Sequence, residues 1–292
     1  MRLPHFEYLS PRTLDEACSL LAAHEGRAAP LAGGTDLLVK MKQRRAVPRY
    51  LVNLKAISGL DAIRYDEPDG LRVGALATIQ SLKNSPVVKR HVNLLAQAAG
   101  VESSVQIRNL ATLGGNIANA SPAADAPLAL LVLGASVVLA RAGREREVTL
   151  EEFFVGPGKT CLEPGELIRE VHVPPLPPGS GGAYLKHSVR RTDIAIVSAA
   201  ALLRVSEGVC EAARIGLGSV APTALRARDA EEALVGRKLT DEVAGRAADA
   251  AAAEARPIDD IRGYAEYRAS TVREITKEVI LRALQDARLG RI

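Results

Sequence analysis

Two glycine pairs, widely separated in the chain, constrain its fold more than any other sequence feature. The first lies in residues 32–36 (Ala-Gly-Gly-Thr-Asp) and the second in the small, polar segment at residues 112–125. Glycine lets backbone N–H groups approach an anion closely, and it tolerates positive φ. Each segment follows an apolar run and is predicted to be irregular rather than a core element. Together they predict a diphosphate held from both sides.

Each of these features also has a plain structural explanation. Either glycine pair alone is explained by a turn, and neither matches the G-x-G-x-x-G or Walker patterns. Asp125, at the end of the second segment, is compatible with a surface or N-cap carboxylate. Lys186 follows a strand-like apolar pattern, and its ammonium group could simply reach solvent. Only the combination of both segments favours a ligand site.

The composition excludes several classes of protein. Of 292 residues, 47% are hydrophobic and 25% charged, which is typical of a globular protein. A net charge of +4 and only 3% aromatic residues disfavour nucleic-acid binding, so the basic cluster at residues 40–45 is interpreted as a solvated helix end. No apolar run approaches the ~20 residues of a membrane span, and no signal-like segment begins the chain. We expect a cytoplasmic protein.

The cysteines and histidines give no metal-binding pattern. Cys18, Cys161 and Cys210 are far apart, and the five histidines are equally scattered. Structural zinc sites and iron–sulfur clusters usually need about four close thiolate or imidazole ligands. The sequence therefore predicts no metal bound by this chain.

Helix and strand patterns alternate through the first half of the chain. Helices are predicted after Thr13, from Asp36 to about Lys42, over residues 86–99 before Gly100, and over residues 127–133. Strands are expected at residues 28–31, 50–54, 63–65, 71–73, 136–139 and 167–173.

The stretch at residues 174–182 (Pro-Pro-Leu-Pro-Pro-Gly-Ser-Gly-Gly) is the clearest boundary. Such a run continues neither a helix nor a central strand, so it is interpreted as a linker. Beyond it, three strand-like runs precede helices, the last at about residues 264–289. This order indicates an α+β domain.

Residues 31–38 and 107–125 closely resemble the FAD-binding medium subunit of molybdenum hydroxylases, a family that includes carbon monoxide dehydrogenase, xanthine dehydrogenase and 4-hydroxybenzoyl-CoA reductase. Residues 184–195 resemble the start of its C-terminal flavoprotein domain, and residues 267–268 and 281–284 its end. The resemblance covers nearly the whole chain. It implies an α+β fold with a two-part PCMH-type FAD-binding domain, then a C-terminal domain of a three-stranded antiparallel sheet and a helical bundle. The implied boundaries are 1–176, with subdomains of about 1–56 and 57–176, and 183–290.

The resemblance also implies roles for individual residues. The first motif would wrap the FAD diphosphate, and residues 112–116 would close on it from the opposite side. Ile107 would pack near the adenine, Ile168 would border the flavin, and Lys186 would lie near the isoalloxazine edge. Further polar side chains would bond the ribityl and diphosphate region. The implied cofactor-binding residues are Leu31, Ala32, Gly33, Gly34, Thr35, Asp36, Leu37, Ile107, Thr112, Gly114, Gly115, Asn116, Asn119, Ser121, Asp125, Ile168 and Lys186.

The implied activity is that of an oxidoreductase subunit without substrate-contacting residues of its own. FAD would transfer electrons between the [2Fe–2S] clusters of a small partner subunit and an external acceptor. The molybdenum cofactor and the clusters would lie only on partner subunits, in a dimer of heterotrimers (a heterohexamer). FAD is expected to be non-covalent, because Thr35 and Asp36 stand where some relatives attach it. The chain also lacks the cysteine-bearing insertion of 4-hydroxybenzoyl-CoA reductase, which disfavours that subunit.

Two other functions compete with this interpretation. A self-contained FAD-dependent oxidase or reductase of the same fold would need an acid or base beside the flavin, and the sequence offers no obvious candidate. A cofactor-free assembly subunit is disfavoured by the intact glycine motifs. The aromatic partner of the flavin stays open, with Tyr184 nearest in sequence to Lys186.

Overall fold

A small parallel sheet begins the computed structural model, which describes residues 2–290. Its elements are β1 (Glu7–Leu9), α1 (Leu14–Ala23), β2 (Ala28–Leu31), α2 (Leu37–Lys42) and β3 (Tyr50–Asn53). The strands are parallel in the order β1-β3-β2. The Thr13 hydroxyl caps α1, and the helix buries Cys18 in one apolar cluster with Val52. Strand β2 therefore ends directly before the first glycine pair.

An antiparallel sheet and a group of short helices follow. The elements are β4 (Ile63–Asp66), β5 (Gly70–Gly74), α3 (Ile79–Asn84), α4 (Pro86–His91), α5 (Asn93–Val101), α6 (Val105–Arg108), α7 (Leu113–Ala118), α8 (Asp125–Leu133), β6 (Ser136–Arg141), β7 (Arg144–Thr149), α9 (Leu150–Phe153), β8 (Phe154–Gly156), β9 (Lys159–Thr160) and β10 (Leu167–Val173). Five strands form one sheet in the order β4-β5-β10-β6-β7, and β8 pairs with β9.

Two sequence predictions in this region were wrong. The single helix expected over residues 86–99 is two helices, broken at Val92 (φ −149°, ψ 54°). Val92 is itself buried, so the apolar pattern runs through the turn without marking it. The second glycine segment, expected to be irregular, contains helix α7, because Thr112 caps its first turn and Leu113 and Ile117 anchor it in the core.

The C-terminal part is a four-stranded antiparallel sheet with three helices. Its elements are β11 (Ser180–His187), β12 (Val197–Ser206), β13 (Val209–Gly218), β14 (Leu225–Arg226), α10 (Arg228–Leu234), α11 (Asp241–Glu254) and α12 (Ala265–Arg288). Three long strands followed by helices confirm the α+β prediction, and β14 adds a short fourth strand. The predicted linker is shorter than expected: residues 180–182 are buried in β11, because that strand pairs with β12 from Ser180 onward.

Helix α8 joins the two parts of the molecule. All of its residues are buried, because it packs against α5 on one side and against β12 and β13 on the other. Gln97 of α5 also bridges the parts: its amide donates to the Gly182 carbonyl (3.2 Å) and accepts the Tyr184 N–H (3.0 Å). The N-terminus of α8 thus lies beside β11. Within residues 2–290, no helix is long and apolar enough to cross a membrane.

Candidate functional site

A cavity of about 580 Å³ opens between the parallel sheet, the α6–α7 segment and strand β11. Its volume lies within the range of small-molecule and cofactor sites. Every predicted cofactor-binding residue except Leu31 lines it. These residues are Ala32, Gly33, Gly34, Thr35, Asp36, Leu37, Ile107, Thr112, Gly114, Gly115, Asn116, Asn119, Ser121, Asp125, Ile168 and Lys186. Leu31 is the last residue of β2 and is not part of the lining.

The first glycine pair is required by chain packing as well as by the cavity. A Cβ atom on Gly33 would lie 2.1 Å from the Leu110 carbonyl oxygen, so only glycine lets these two segments touch. Gly34 has φ +76°, a left-handed conformation that favours glycine. Among the described residues, the N–H groups of residues 33–35 have no backbone carbonyl partner. They are free to bind an anion at the entrance to α2.

The backbone N–H groups around the second glycine pair bond within the protein, whereas the sequence suggested that they would bind an anion. The N–H groups of Leu113 and Gly114 donate to the carbonyls of Ala77 and Ala75, at 2.9 and 2.8 Å. The N–H of Gly115 donates to the Thr112 hydroxyl. These N–H groups already have acceptors inside the protein. The expectation that both glycine segments offer free N–H groups is therefore wrong for the second segment. Position 114 needs glycine because an added Cβ would lie 2.6 Å from the Cβ of Ala75.

A polar chain links the two segments across the cavity mouth. The Asn119 amide donates to Asp36 Oδ1 at 3.2 Å and accepts from Lys40 Nζ at 2.6 Å. Lys40 therefore also lines the cavity, although its side chain is exposed, as the predicted solvated helix end requires. Its position on α2, one turn after Asp36, is the signal that could have identified it.

Asp125, Tyr184 and Lys186 form a buried polar group at the inner end. Lys186 Nζ lies 2.9 Å from Asp125 Oδ2 and 2.7 Å from the Val101 carbonyl, and its side chain is 3% exposed. The Tyr184 hydroxyl donates to Asp125 Oδ1 at 2.5 Å. The surface interpretations of Asp125 and Lys186 were therefore wrong. Burial raises the pKa of Asp125, and the Lys186 and Tyr184 contacts counteract that rise.

Glu102 is another cavity side chain that sequence reasoning missed. Its Oε1 accepts the Asn116 amide at 2.8 Å, and its Oε2 is buried without a hydrogen bond of ordinary geometry. Burial and then the nearby Asp125 carboxylate raise the pKa of Glu102 to about 8, with partial compensation from the Ala126 N–H and Lys186. In the sequence it is only a lone acid after a helix, which is no signal by itself.

Other lining residues come from several separate parts of the chain. They include Pro30 of β2, Leu162 and Glu166 before β10, and the 192–194 segment before β12. Glu166 is paired with Arg146 (2.7 Å), which keeps the pKa of the carboxyl low. No aromatic side chain lines the cavity within residues 2–290; Tyr184 is buried behind it.

The cavity can therefore bind an elongated polar ligand with an anionic part. Its lining offers free N–H groups, a compensated ion pair and a carboxyl with a raised pKa. The buried Oδ1 of Asn116 and Oε2 of Glu102 have no partner in the described protein. The donors that remain open to a ligand are the N–H groups of residues 33–35, which fit an anionic group such as a diphosphate.

Comparison with known proteins gives the same family along the whole chain. Residues 4–176 match the FAD binding domain in molybdopterin dehydrogenase, and residues 183–283 match the CO dehydrogenase flavoprotein C-terminal domain.

Individual relatives cover almost the full length. The carbon monoxide dehydrogenase medium chain of Hydrogenophaga pseudoflava is 36% identical over 95% of this chain and 96% of its own. The 6-hydroxypseudooxynicotine dehydrogenase complex subunit alpha of Paenarthrobacter nicotinovorans is 35% identical over 99% and 97%. A solved structure of the H. pseudoflava carbon monoxide dehydrogenase superposes with a TM-score of 0.94, at 38% identity, covering 98% of this chain and 99% of that one.

Proposed function

This chain belongs to the FAD-binding medium subunits of the molybdenum hydroxylase family, and on that premise we propose that it transfers electrons through FAD held in the cavity described above. The observation that carries the proposal is the lining itself: both family motifs meet around one cavity, and the first motif offers it free N–H groups. When bound, FAD supplies the redox chemistry by accepting electrons and passing them on.

Different residues of the cavity bind different parts of the cofactor in this proposal. The N–H groups of residues 33–35, at the entrance to α2, are placed to hold the diphosphate. The Asp36–Asn119–Lys40 chain fixes the mouth and offers one cation to the phosphates. Asn116 and Ser121 offer polar contacts to the ribityl region. Ile168 offers an apolar surface, and the Lys186–Asp125 pair makes the inner end of the cavity polar.

The fold and the relatives also support our proposals for domains and partners. We propose domains at residues 1–176, divided near residue 56, and 183–290, since the three larger sheets use separate parts of the chain. Relatives with the printed names "medium chain" and "complex subunit alpha" support assembly with partner subunits. We propose that these are a molybdenum subunit and a [2Fe–2S] subunit, in the dimer of heterotrimers that the family resemblance implies.

Reconstitution tests the flavoprotein proposal. The purified chain, supplied with FAD and then desalted, should retain the cofactor and absorb near ~450 nm with the spectrum of bound flavin. A chain that retains no FAD would overturn the proposal. Copurification from the native source should bring a large molybdenum protein and a small iron–sulfur protein, and their absence would contradict the assembly.

One observation favours the alternative of a self-contained flavin enzyme. That alternative needs an acid or base beside the flavin, and Glu102, which lines the cavity, is such a group. Turnover of an organic substrate by the lone chain, abolished in Glu102→Gln, would support the alternative. Electron transfer that requires the partner subunits would support the electron-transfer subunit.

A further inference from the structure

Helix α6 buries a charged side chain and exposes its apolar ones. Within this fully described helix, Arg108 is the only buried residue, at 5% exposure, whereas Val105 and Ile107 are 52% and 38% exposed. Apolar side chains normally anchor a surface helix, and burying a guanidinium away from water costs free energy. An arginine in the anchoring position therefore points to a role that apolar packing does not provide.

The guanidinium of Arg108 binds the turn that precedes its own helix. Its Nη1 donates to the carbonyls of Glu102 (2.9 Å) and Ser103 (2.7 Å), and its Nε donates to Oε1 of Gln80 on α3 (2.9 Å). These acceptors are neutral oxygens, so the contacts fix geometry rather than neutralise charge. The rigid, planar fork of arginine suits such a task, because it directs several N–H donors at once. Arg108 thus joins α3, α6 and the turn between α5 and α6.

The α5–α6 turn depends on contacts from outside its own helix. The last carbonyls of a helix have no partner within it, and α5 ends at Val101. The Val101 carbonyl accepts from Lys186 Nζ at 2.7 Å, and the next two carbonyls accept from Arg108. Ser103 has φ +45°, which is uncommon for a residue other than glycine and persists only where the surroundings maintain it. Arg108 supplies two of the contacts that maintain this turn.

This turn and α6 form one wall of the cavity. Glu102, Ser103 and Ile107 line it, whereas Arg108 is not among the lining residues. The carbonyl oxygen of Leu110, just after α6, lies where a Cβ on Gly33 would approach it to 2.1 Å. The position of α6 therefore sets both the wall and the contact with the first glycine segment.

We propose that Arg108 is a positioning residue for FAD, whose guanidinium holds the turn at residues 102–104 and helix α6 in the conformation that binds the cofactor before the cofactor arrives. This inference rests on the proposed FAD-binding function and adds to it the residue that preorganises one wall. Without Arg108, only a fraction of the molecules has the wall in place. The apparent dissociation constant of FAD then rises by the inverse of that fraction.

FAD titration of full-length apoprotein variants tests the proposal. Arg108→Met keeps a long side chain but loses the hydrogen bonds, so the dissociation constant should rise about tenfold or more, as for a wall in place in about a tenth of the molecules. Arg108→Lys keeps the charge without the fork, and its constant should also rise. Arg90→Met, an exposed change on α4 outside the cavity, is the matched control and should bind FAD like the wild type.

Two further readouts distinguish positioning from a general loss of stability. Urea denaturation of each apoprotein identifies the temperatures at which the variant is fully folded, and the affinity loss should persist there. In Arg108→Ala, millimolar methylguanidinium should lower the dissociation constant towards the wild-type value, whereas methylammonium, which lacks the fork, should not. A wild-type constant in folded Arg108→Met and Arg108→Lys, or equal effects of the two cations, would overturn the inference and leave FAD binding intact.

Hydrogen exchange of the wild-type apoprotein gives a test that needs no variant. The N–H groups of Arg108 and Ala111 donate to the carbonyls of Ser104 (2.9 Å) and Ile107 (2.7 Å). These amides should exchange slowly without FAD, because the wall is already in place. Rapid exchange that slows only after FAD is added would overturn the inference alone. Failure of the wild type to bind FAD would overturn the proposed function and this inference with it.

Discussion

Lys186 Nζ and Asp125 Oδ2 lie 2.9 Å apart, and both side chains are almost completely buried. The two residues are 61 positions apart and belong to different parts of the fold, strand β11 and helix α8. Their contact ties the C-terminal sheet to the wall of the cavity. It also compensates the lysine charge. The electrostatic effect of Lys186 on a bound flavin is therefore reduced by the negative charge of Asp125.

Breaking this pair should destabilise the protein strongly. Lys186→Met leaves a buried carboxylate without its cation, and we expect a loss of about 3–5 kcal/mol in the free energy of unfolding. The double variant Lys186→Met/Asp125→Leu should lose less than the sum of the two single variants. Chemical denaturation at neutral pH checks this, and simple additivity of the single effects would show that the pair is not coupled.

Gly33→Ala should remove FAD retention by separating the two cavity segments. The new Cβ would lie 2.1 Å from the Leu110 oxygen, and overpacking of this kind costs about 1–3 kcal/mol. The ratio of flavin to protein absorbance measures retention. Gly100→Ala is the matched control, since its Cβ comes no closer than 3.9 Å to a neighbour, the flexible Lys83 side chain, and it should retain FAD normally. A wild-type ratio in Gly33→Ala would contradict the packing argument.

Tyr184→Phe should lower stability without releasing the cofactor. The variant loses a hydrogen bond to the buried Asp125 carboxylate, which contributes about 1.5–3 kcal/mol. Because Tyr184 is absent from the cavity lining, FAD stoichiometry should stay at the wild-type level. Tyr264→Phe, at a side chain that is 76% exposed, should change neither quantity. Loss of FAD from Tyr184→Phe would assign the ring a direct role in binding.

The stability of the apoprotein should fall as pH rises from acidic to mildly alkaline values. Glu102 has a pKa of about 8 in the fold, above the ~4.3 of an unfolded glutamate. Its stabilising contribution is therefore complete below ~4.3 and is lost as pH rises towards 8, by on the order of 2–5 kcal/mol. Glu102→Gln should flatten this decline, leaving the parts contributed by Asp125 and Glu254, whose pKa values burial also raises. Urea denaturation at a series of pH values measures the slope, and equal slopes would exclude Glu102 as its source.

The local sequence pattern was sufficient to predict much of the fold. The hairpin of β4 and β5, the buried helix α8 and the long helix α12 follow from apolar periodicity and from turn residues. The break at Val92 could not be predicted, because the buried side chains on both sides keep one helical spacing. The strand in residues 180–182 was equally hidden, since pairing with β12 overrides the low strand preference of serine and glycine.

The two glycine motifs were also visible in the sequence, but the contacts that each motif makes could not be predicted from it. The pattern identified two glycine pairs and the polar residues that follow the second. Tertiary contacts decided that Gly114 packs against Ala75 and that the donors of this segment are used internally. Lys40 and Glu102 joined the cavity only through chain segments that are distant in sequence.

The motifs in the sequence, through their resemblance to a known family, were sufficient for the family and for most of the cavity residues, and local periodicity was sufficient for most of the element types. Tertiary structure alone decided the charge states and partners in that cavity. Burial and the distances among Glu102, Asp125 and Lys186 determine which carboxyl keeps its proton and which is compensated. Such energies depend on solvent exclusion and on neighbours from other parts of the chain, and no local pattern encodes them.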